Sequence, residues 1–201
     1  MERLSSFFHI LSIPYSTVGF IMGFRYEIRL AGSGGQGLIL AGKILAEAAA
    51  IYDDKNATQS QSYGPEARGG ASKSEVIISD EEIDYPKVTE VDLFLALTQE
   101  SCDSYSKDLK KDAVLLVDST YVTRVPEGSY KIYKLPITDL AMEKVGNRTV
   151  TNIVALGVVV SLSKVVSVPA GESAILARVP KGTEDMNKKA FKAGLEAAKT
   201  L

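Results

Sequence analysis

Residues Gly32-Ser33-Gly34-Gly35-Gln36-Gly37 constrain this chain more than any other stretch, because of what flanks them. Tyr26-Glu27-Ile28-Arg29-Leu30-Ala31 alternates in the manner of a strand, and residues 38–50 read as a helix. A strand feeding a glycine loop that opens a helix aims unpaired backbone N–H groups at one point, with the helix dipole behind them. That geometry suits a phosphate or another anion. Each glycine held in a fixed conformation costs about 0.5–1 kcal/mol of backbone entropy relative to alanine. Four in six residues imply a conformational or close-approach requirement.

Downstream, strands and helices alternate. Residues 55–61 are polar but β-compatible and lead into the loop Ser62-Tyr63-Gly64-Pro65-Glu66-Ala67-Arg68-Gly69-Gly70. Residues 72–79 read as a strand closed by the acidic turn Asp80-Glu81-Glu82. Residues 91–97 and 113–118 are nearly unbroken apolar runs of the kind that fill central strands, with a helix near 101–109 between them. Residues 130–135 form another strand. Beyond Pro136, Thr138 is placed to cap a helix reaching about Val145. Residues 149–160 are apolar but too interrupted to span a bilayer, and residues 187–198 make a terminal amphipathic helix. The expected fold is α/β: a single three-layer domain over residues 24–201, with a mostly parallel sheet, helices on both faces and a helical C-terminal part.

Residues 1–23 stand apart, since residues 7–24 carry no formal charge. They read as a signal peptide, a membrane anchor or an upstream extension ahead of a start at Met22. Pro14, scattered Ser, Thr and Gly, and the lack of a small-residue cleavage site favour an extension that is not part of the native protein. Between residues 38 and 51 only Lys43 and Glu47 are charged, so the first helix needs cover on most sides. Either close packing within the chain or a subunit interface supplies it.

Two scarce residue types remove whole reaction classes. Cys102 is the only cysteine, so the chain has no disulfide framework, metal clip or iron–sulfur cluster of its own. Cys102 reads as a small, partly buried residue rather than a catalytic thiol. The only histidine, His9, lies in the doubtful leader, which disfavours Ser-His-Asp, Cys-His and histidine-ligated zinc chemistry in the core. No catalytic or metal-ligating residue is assigned. A net charge of −2 without a dense Lys/Arg block argues against nucleic acid, and nothing here calls for a membrane. The domain reads as cytoplasmic.

Gly32, Gly34 and Gly37 match the spacing G-x-G-x-x-G. A dinucleotide site also needs an acidic residue ending the second strand to hold the ribose. Gln59-Ser60-Gln61-Ser62 stand there instead, with Asp53-Asp54 ahead of the strand. A plain NAD dehydrogenase is disfavoured. A stand-alone Rossmann-type nucleotide-binding oxidoreductase, or a tight crossover needing no ligand, remains the alternative. In the second loop, Tyr63, Glu66 and Arg68 lie between Gly64-Pro65 and Gly69-Gly70. Arg68 either grips a phosphate or carboxylate bidentately or pairs locally with Glu66 on a solvated loop. Crevices outside the carboxyl ends of strands let two such loops converge.

The paired loops, followed by Ser74-Glu75-Val76-Ile77-Ile78-Ser79 and by Asn152-Ile153-Val154-Ala155-Leu156-Gly157, strongly resemble the gamma subunit of 2-oxoacid:ferredoxin oxidoreductases over residues 26–201. The resemblance implies oxidative decarboxylation of a 2-oxoacid with thiamine diphosphate and magnesium, electron transfer through iron–sulfur clusters to ferredoxin, and acyl transfer to coenzyme A. Those cofactors belong to sister subunits (alpha, beta and, where present, delta), because this chain lacks a Gly-Asp-Gly element and has one cysteine. On this resemblance Gly32, Gly34, Gly35, Gln36, Gly37, Tyr63, Gly64, Pro65, Glu66, Arg68, Gly69 and Gly70 form a binding or assembly rim facing the catalytic subunits. Arg68 is the expected anion contact, and Tyr63 packs against a ligand or neighbour. The start Gln36-Gly37-Leu38-Ile39-Leu40-Ala41-Gly42 is more similar to 2-oxoglutarate than to pyruvate enzymes. A purely structural assembly module is the non-enzymatic alternative.

Overall fold

The computed structural model describes residues 23–64 and 70–201. Six strands make one sheet: β1 (Arg25–Ser33), β2 (Asn56–Tyr63), β3 (Ala71–Ser79), β4 (Val91–Ala96), β5 (Leu109–Asp118) and β6 (Lys131–Leu135). Their spatial order is β2-β3-β1-β4-β5-β6. The ladders from β1 through β4 and β5 to β6 are parallel, whereas β3 runs antiparallel to both β1 and β2. β3 is thus the one reversed strand among the described residues.

Burial explains the sequence patterns. β4 and β5 sit mid-sheet with both faces covered, so they read as continuous apolar runs. β1 sends Ile28 and Leu30 into the larger core and Ala31 into the smaller one. Glu27 and Arg29 alternate with them and are nonetheless buried. Arg29 Nε donates to Glu75 Oε1 at 2.7 Å and Arg29 Nη1 donates to the Tyr105 and Lys107 carbonyls, each at 2.9 Å. Glu27 Oε2 accepts from the amides of Thr89 and Glu90. Their charges are tolerated because these polar ends are satisfied.

Six helices flank the sheet unequally. The larger core lies under α1 (Leu38–Glu47), α3 (Ile137–Val145), α4 (Thr151–Ser163), α5 (Val168–Arg178) and α6 (Glu184–Ala198). The smaller core, around Phe94, Leu115 and Cys102, is closed by α2 (Gln99–Tyr105) and the loop carrying Val122. α4 is buried from Thr151 through Val160, which accounts for its apolar sequence without any membrane. No helix among the described residues is long and apolar enough to cross one. Gly157 and Gly194 let α4 and α6 touch backbone to backbone: Gly194 Cα lies 3.1 Å from where a Cβ on Gly157 would stand. The apolar first helix is covered within the chain, by the sheet and by α4 and α5. It continues into a π-helical turn, Ala48–Tyr52, where Ile51 stays 66% exposed.

Three boundaries differ from expectation. α2 begins earlier, because Thr98 caps it and exchanges a reciprocal capping box with Ser101. β5 begins at Leu109, where the sequence pattern ends a helix. Thr138 lies inside the first turn of α3 rather than capping it, since Pro136 is the N-cap and the Thr138 side chain has another partner. The expectation for the leader falls on residues 1–22, outside the described residues.

Candidate functional site

β1 ends in the glycine loop, and each residue there has a distinct local job. Gly32 is buried, and a Cβ on it would come within 2.9 Å of Leu38 Cδ1 and closer still to Gln36 Oε1. Gln36 folds back so that its Oε1 accepts from the Ser33 amide at 2.7 Å. Gly37 is the N-cap of α1 with φ of 74°, a left-handed conformation in which a side chain is strained. Asn152 on α4 donates from Nδ2 to the Gly37 carbonyl at 3.1 Å, and a Cβ on Gly37 would sit 2.5 Å from that nitrogen. The Asn-x-x-Ala-Leu-Gly element therefore holds the glycine loop from behind. No side chain caps α1, leaving its first-turn amides to be satisfied from outside.

The two loops meet. The Gly34 amide donates to the Gly70 carbonyl at 3.1 Å, and the Gly64 amide to the Ala71 carbonyl at 2.9 Å. Reversal of β3 makes this possible, because it places the end of β2 and the start of β3 at the carboxyl end of β1, with Ser33 opposite Ala71. Pro65, Glu66, Arg68 and Gly69 lie outside the described residues. Tyr63 stands 64% exposed on the outer strand β2 and is not part of the cleft described next.

On the other side of the glycine loop lies a cleft of about 280 Å³, lined by Gly35, Gln36, Tyr121, Thr138, Arg148, Thr149 and Thr151. Three helix starts converge on it: α1 through Gly35 and Gln36, α3 through Thr138, and α4 through Thr151 and the preceding 3₁₀ turn Arg148–Val150. Helix starts carry partial positive charge, and Arg148 adds a full one. The wall is rigid. Asp118, fully buried at the end of β5, accepts from Thr138 Oγ1 at 2.6 Å, the Thr138 amide at 3.1 Å and the Thr120 amide at 3.0 Å. Asn147 accepts from the Thr149 amide and hydroxyl at 2.9 and 2.8 Å. The Thr138, Thr149 and Thr151 hydroxyls spend their single protons on Asp118, Asn147 and the Arg148 carbonyl, so what the cleft offers an anion is the Arg148 guanidinium and the uncapped first-turn amides of α1. Sequence reasoning placed Thr138 only as a helix cap and did not single out Tyr121, Arg148, Thr149 or Thr151 as site residues. Only the Asn147 cap just ahead of an Arg-Thr pair could have pointed there.

The sheet order also bears on the dinucleotide alternative. In that architecture the second strand lies beside the first, so its terminal carboxylate reaches the ribose. Here β3 separates β2 from β1. Cys102 is fully buried, and burial pushes its thiol pKa up, as fits a packing residue.

The family model described as pyruvate ferredoxin/flavodoxin oxidoreductase matches residues 27–197. The 2-oxoglutarate synthase subunit KorC of Methanocaldococcus jannaschii is 54% identical over 179 residues, spanning 88% of this chain and 96% of that one. The crystal structure of the keto/oxoacid ferredoxin oxidoreductase gamma subunit from Geobacter sulfurreducens PCA matches with a TM-score of 0.82 at 58% identity, over 88% of this chain and 98% of the other. The 2-oxoglutarate:ferredoxin oxidoreductase of Magnetococcus marinus, solved with 2-oxoglutarate, coenzyme A and succinyl-CoA bound, shares the fold at a TM-score of 0.77 and 24% identity. That match covers 88% of this chain and 31% of the longer one. The chain belongs to the pyruvate ferredoxin/flavodoxin oxidoreductase family, as a gamma-type subunit.

Proposed function

We propose that this chain is the gamma subunit of a cytoplasmic 2-oxoglutarate:ferredoxin oxidoreductase, which oxidatively decarboxylates 2-oxoglutarate to its acyl-CoA. Its alpha and beta partners, and delta where present, carry the thiamine diphosphate, magnesium and iron–sulfur clusters, and ferredoxin takes the electrons. The observation that carries this reading is the Gly34–Gly70 backbone bond, which joins both glycine loops into one rim beside an anion-suited cleft.

The residues present do not fit a cluster, and they do fit a phosphate-bearing group. A cluster needs several thiolates, and the only cysteine is fully buried. The cleft donors fit the phosphates of coenzyme A, whose thiol accepts the acyl group. Arg148 and the uncapped first-turn amides of α1 would hold phosphate oxygens, while Gly35 leaves open space at the loop crest for close backbone approach. Asp118 and Asn152 keep that wall and the loop in place. Residues 24–201 would form the functional unit, with Arg68 a second anion contact at the rim.

Reconstitution tests the proposal. Tagged chain drawn from native extract brings down proteins with Gly-Asp-Gly and cysteine-rich cluster motifs. Complex assembled without it fails to reduce ferredoxin on 2-oxoglutarate and coenzyme A. Micromolar binding of NAD by the isolated chain, with no such partners, would refute the reading in favour of a stand-alone oxidoreductase.

A further inference from the structure

The sheet has two edges, and among the described residues only one is defended. β6 is five residues long and carries Lys131 and Lys134, a short charged edge that resists pairing. β2 runs for eight residues, Asn56–Tyr63, with no charge and no proline. It keeps continuous register with β3 along its whole length, without a bulge. Because the Gly64 amide bonds inward to Ala71, alternation along an antiparallel ladder turns the backbone groups of Ala57, Gln59, Gln61 and Tyr63 outward.

The same edge carries a projection and a recess. Tyr63 is 64% exposed. Near the other end of the strand, a groove of about 450 Å³ is lined by Ala46, Ala50, Ile51, Ala57, Gln59 and Lys43, among others. Ala57 packs toward the larger core, and Tyr63, an even number of residues away, shares its face.

We propose that β2 pairs antiparallel with β2 of a second copy of this chain about a two-fold axis at Ser60, extending the sheet across two molecules. A two-fold perpendicular to the sheet keeps each face on its own side, so residues face only partners of the same parity. Centred on Ser60, that register sets Tyr63 of one copy opposite Ala57 of the other, over the Ala50–Ile51 groove. It also sets Gln59 opposite Gln61, so the outward backbone groups become the hydrogen-bonded pairs. No like charges oppose each other along the strand, and the contact is self-complementary as a two-fold interface demands. Eight residues at about 3.4 Å each give an edge of ~27 Å; with both tyrosines and both Ile51 side chains the pair buries roughly 1,000 Å². That is at the lower bound for a specific interface, so the isolated chain dimerises weakly, with Kd in the micromolar range.

Cross-linking of the full chain reads the register. The facing Ser60 residues form a non-hydrogen-bonded pair with Cα atoms about 4.5 Å apart, within disulfide reach. Under mild oxidation S60C yields disulfide-linked dimer at least ~10-fold more efficiently than S62C, whose partner position is Thr58. Sedimentation of the wild-type chain shows concentration-dependent dimer, and Y63A weakens it by about tenfold, close to 1.4 kcal/mol. Amides of Ala57, Gln59, Gln61 and Tyr63 exchange more slowly as wild-type concentration rises, a readout that needs no variant. A chain monomeric at ~200 µM without S60C product, or equal cross-linking at both positions, would overturn the proposal. So would slow exchange of those amides in the assembled enzyme without S60C cross-linking, because another subunit's strand would then hold the edge.

Discussion

Replacing Asp118 with Asn tests whether one buried carboxylate sets the cleft wall. The carboxylate is fully buried and receives three donors: the Thr138 hydroxyl at 2.6 Å, the Thr138 amide at 3.1 Å and the Thr120 amide at 3.0 Å. Oδ1 serves Thr120 while Oδ2 serves Thr138, so the substituted carboxamide can keep its oxygen toward Thr120 and turn its NH₂ toward Thr138. The Thr138 hydroxyl rotates to accept, but the Thr138 amide then faces a donor. One bond is lost with its amide left unpaired, at about 1–3 kcal/mol, and two charge-assisted bonds become neutral at roughly 0.5–1 kcal/mol each. The expected loss is about 3 kcal/mol, which at an m-value near 2 kcal/mol/M lowers the urea midpoint by ~1.5 M. Asp118→Ala, which strands both amides, loses more. The measurement is equilibrium urea unfolding followed by circular dichroism. A D118N loss within about 1 kcal/mol would refute the idea that this carboxylate anchors α3.

Four further outcomes are expected. Gly157→Ala drives a methyl into the Phe191 carbonyl and to within 3.0 Å of the Leu195 amide, so α4 and α6 must part; calorimetry should show a net loss of about 1–3 kcal/mol despite the ~1 kcal/mol helix-propensity gain. Asn152→Asp turns a buried donor into an acceptor facing the Gly37 carbonyl, and unfolding should show a loss of about 3 kcal/mol or more with faster exchange across the glycine loop. Arg148 is exposed, so Arg148→Ala should leave the melting temperature unchanged while raising the KM for coenzyme A about tenfold in assembled enzyme. Burial, then Asp92, pushes the Tyr26 phenol up to about 12, above its unfolded value of 10. The unfolded state ionises first on that interval, so stability falls as pH rises from about 10 to 12, and Tyr26→Phe should flatten the decline.

Much of this architecture is written locally. The strand–glycine–helix junction was readable because alternation in residues 26–31 gives way to helical periodicity within a few residues. The apolar runs of β4 and β5 declared their central place for the same reason. Helix α5 was missed: its sequence mixes small, polar and apolar residues, although the Ser167 cap followed by Pro169 was available as a start signal. The direction of β3 was not legible, since alternation is identical for a strand read either way. Glycine-loop residues of the candidate site could be named from adjacency. The cleft wall could not, because Tyr121, Thr138 and Arg148 come from separate segments joined only by the packing of α3 and α4 on the sheet. The over-apolar first helix carried an ambiguous message: within the chain its hidden surface is taken up by the sheet and by α4 and α5.

The reversed strand has an evolutionary corollary. Had β3 run with its neighbours, a crossover helix would occupy its entrance, and any change in length there would disturb packing against the core. Here β3 enters straight from β2, and the Gly64 amide on the Ala71 carbonyl closes their ladder. The Gly70 carbonyl that meets Gly34 is thus held by a sheet ladder and not by a packed crossover helix. Change at this lip is therefore answerable to strand register rather than to helix packing against the core.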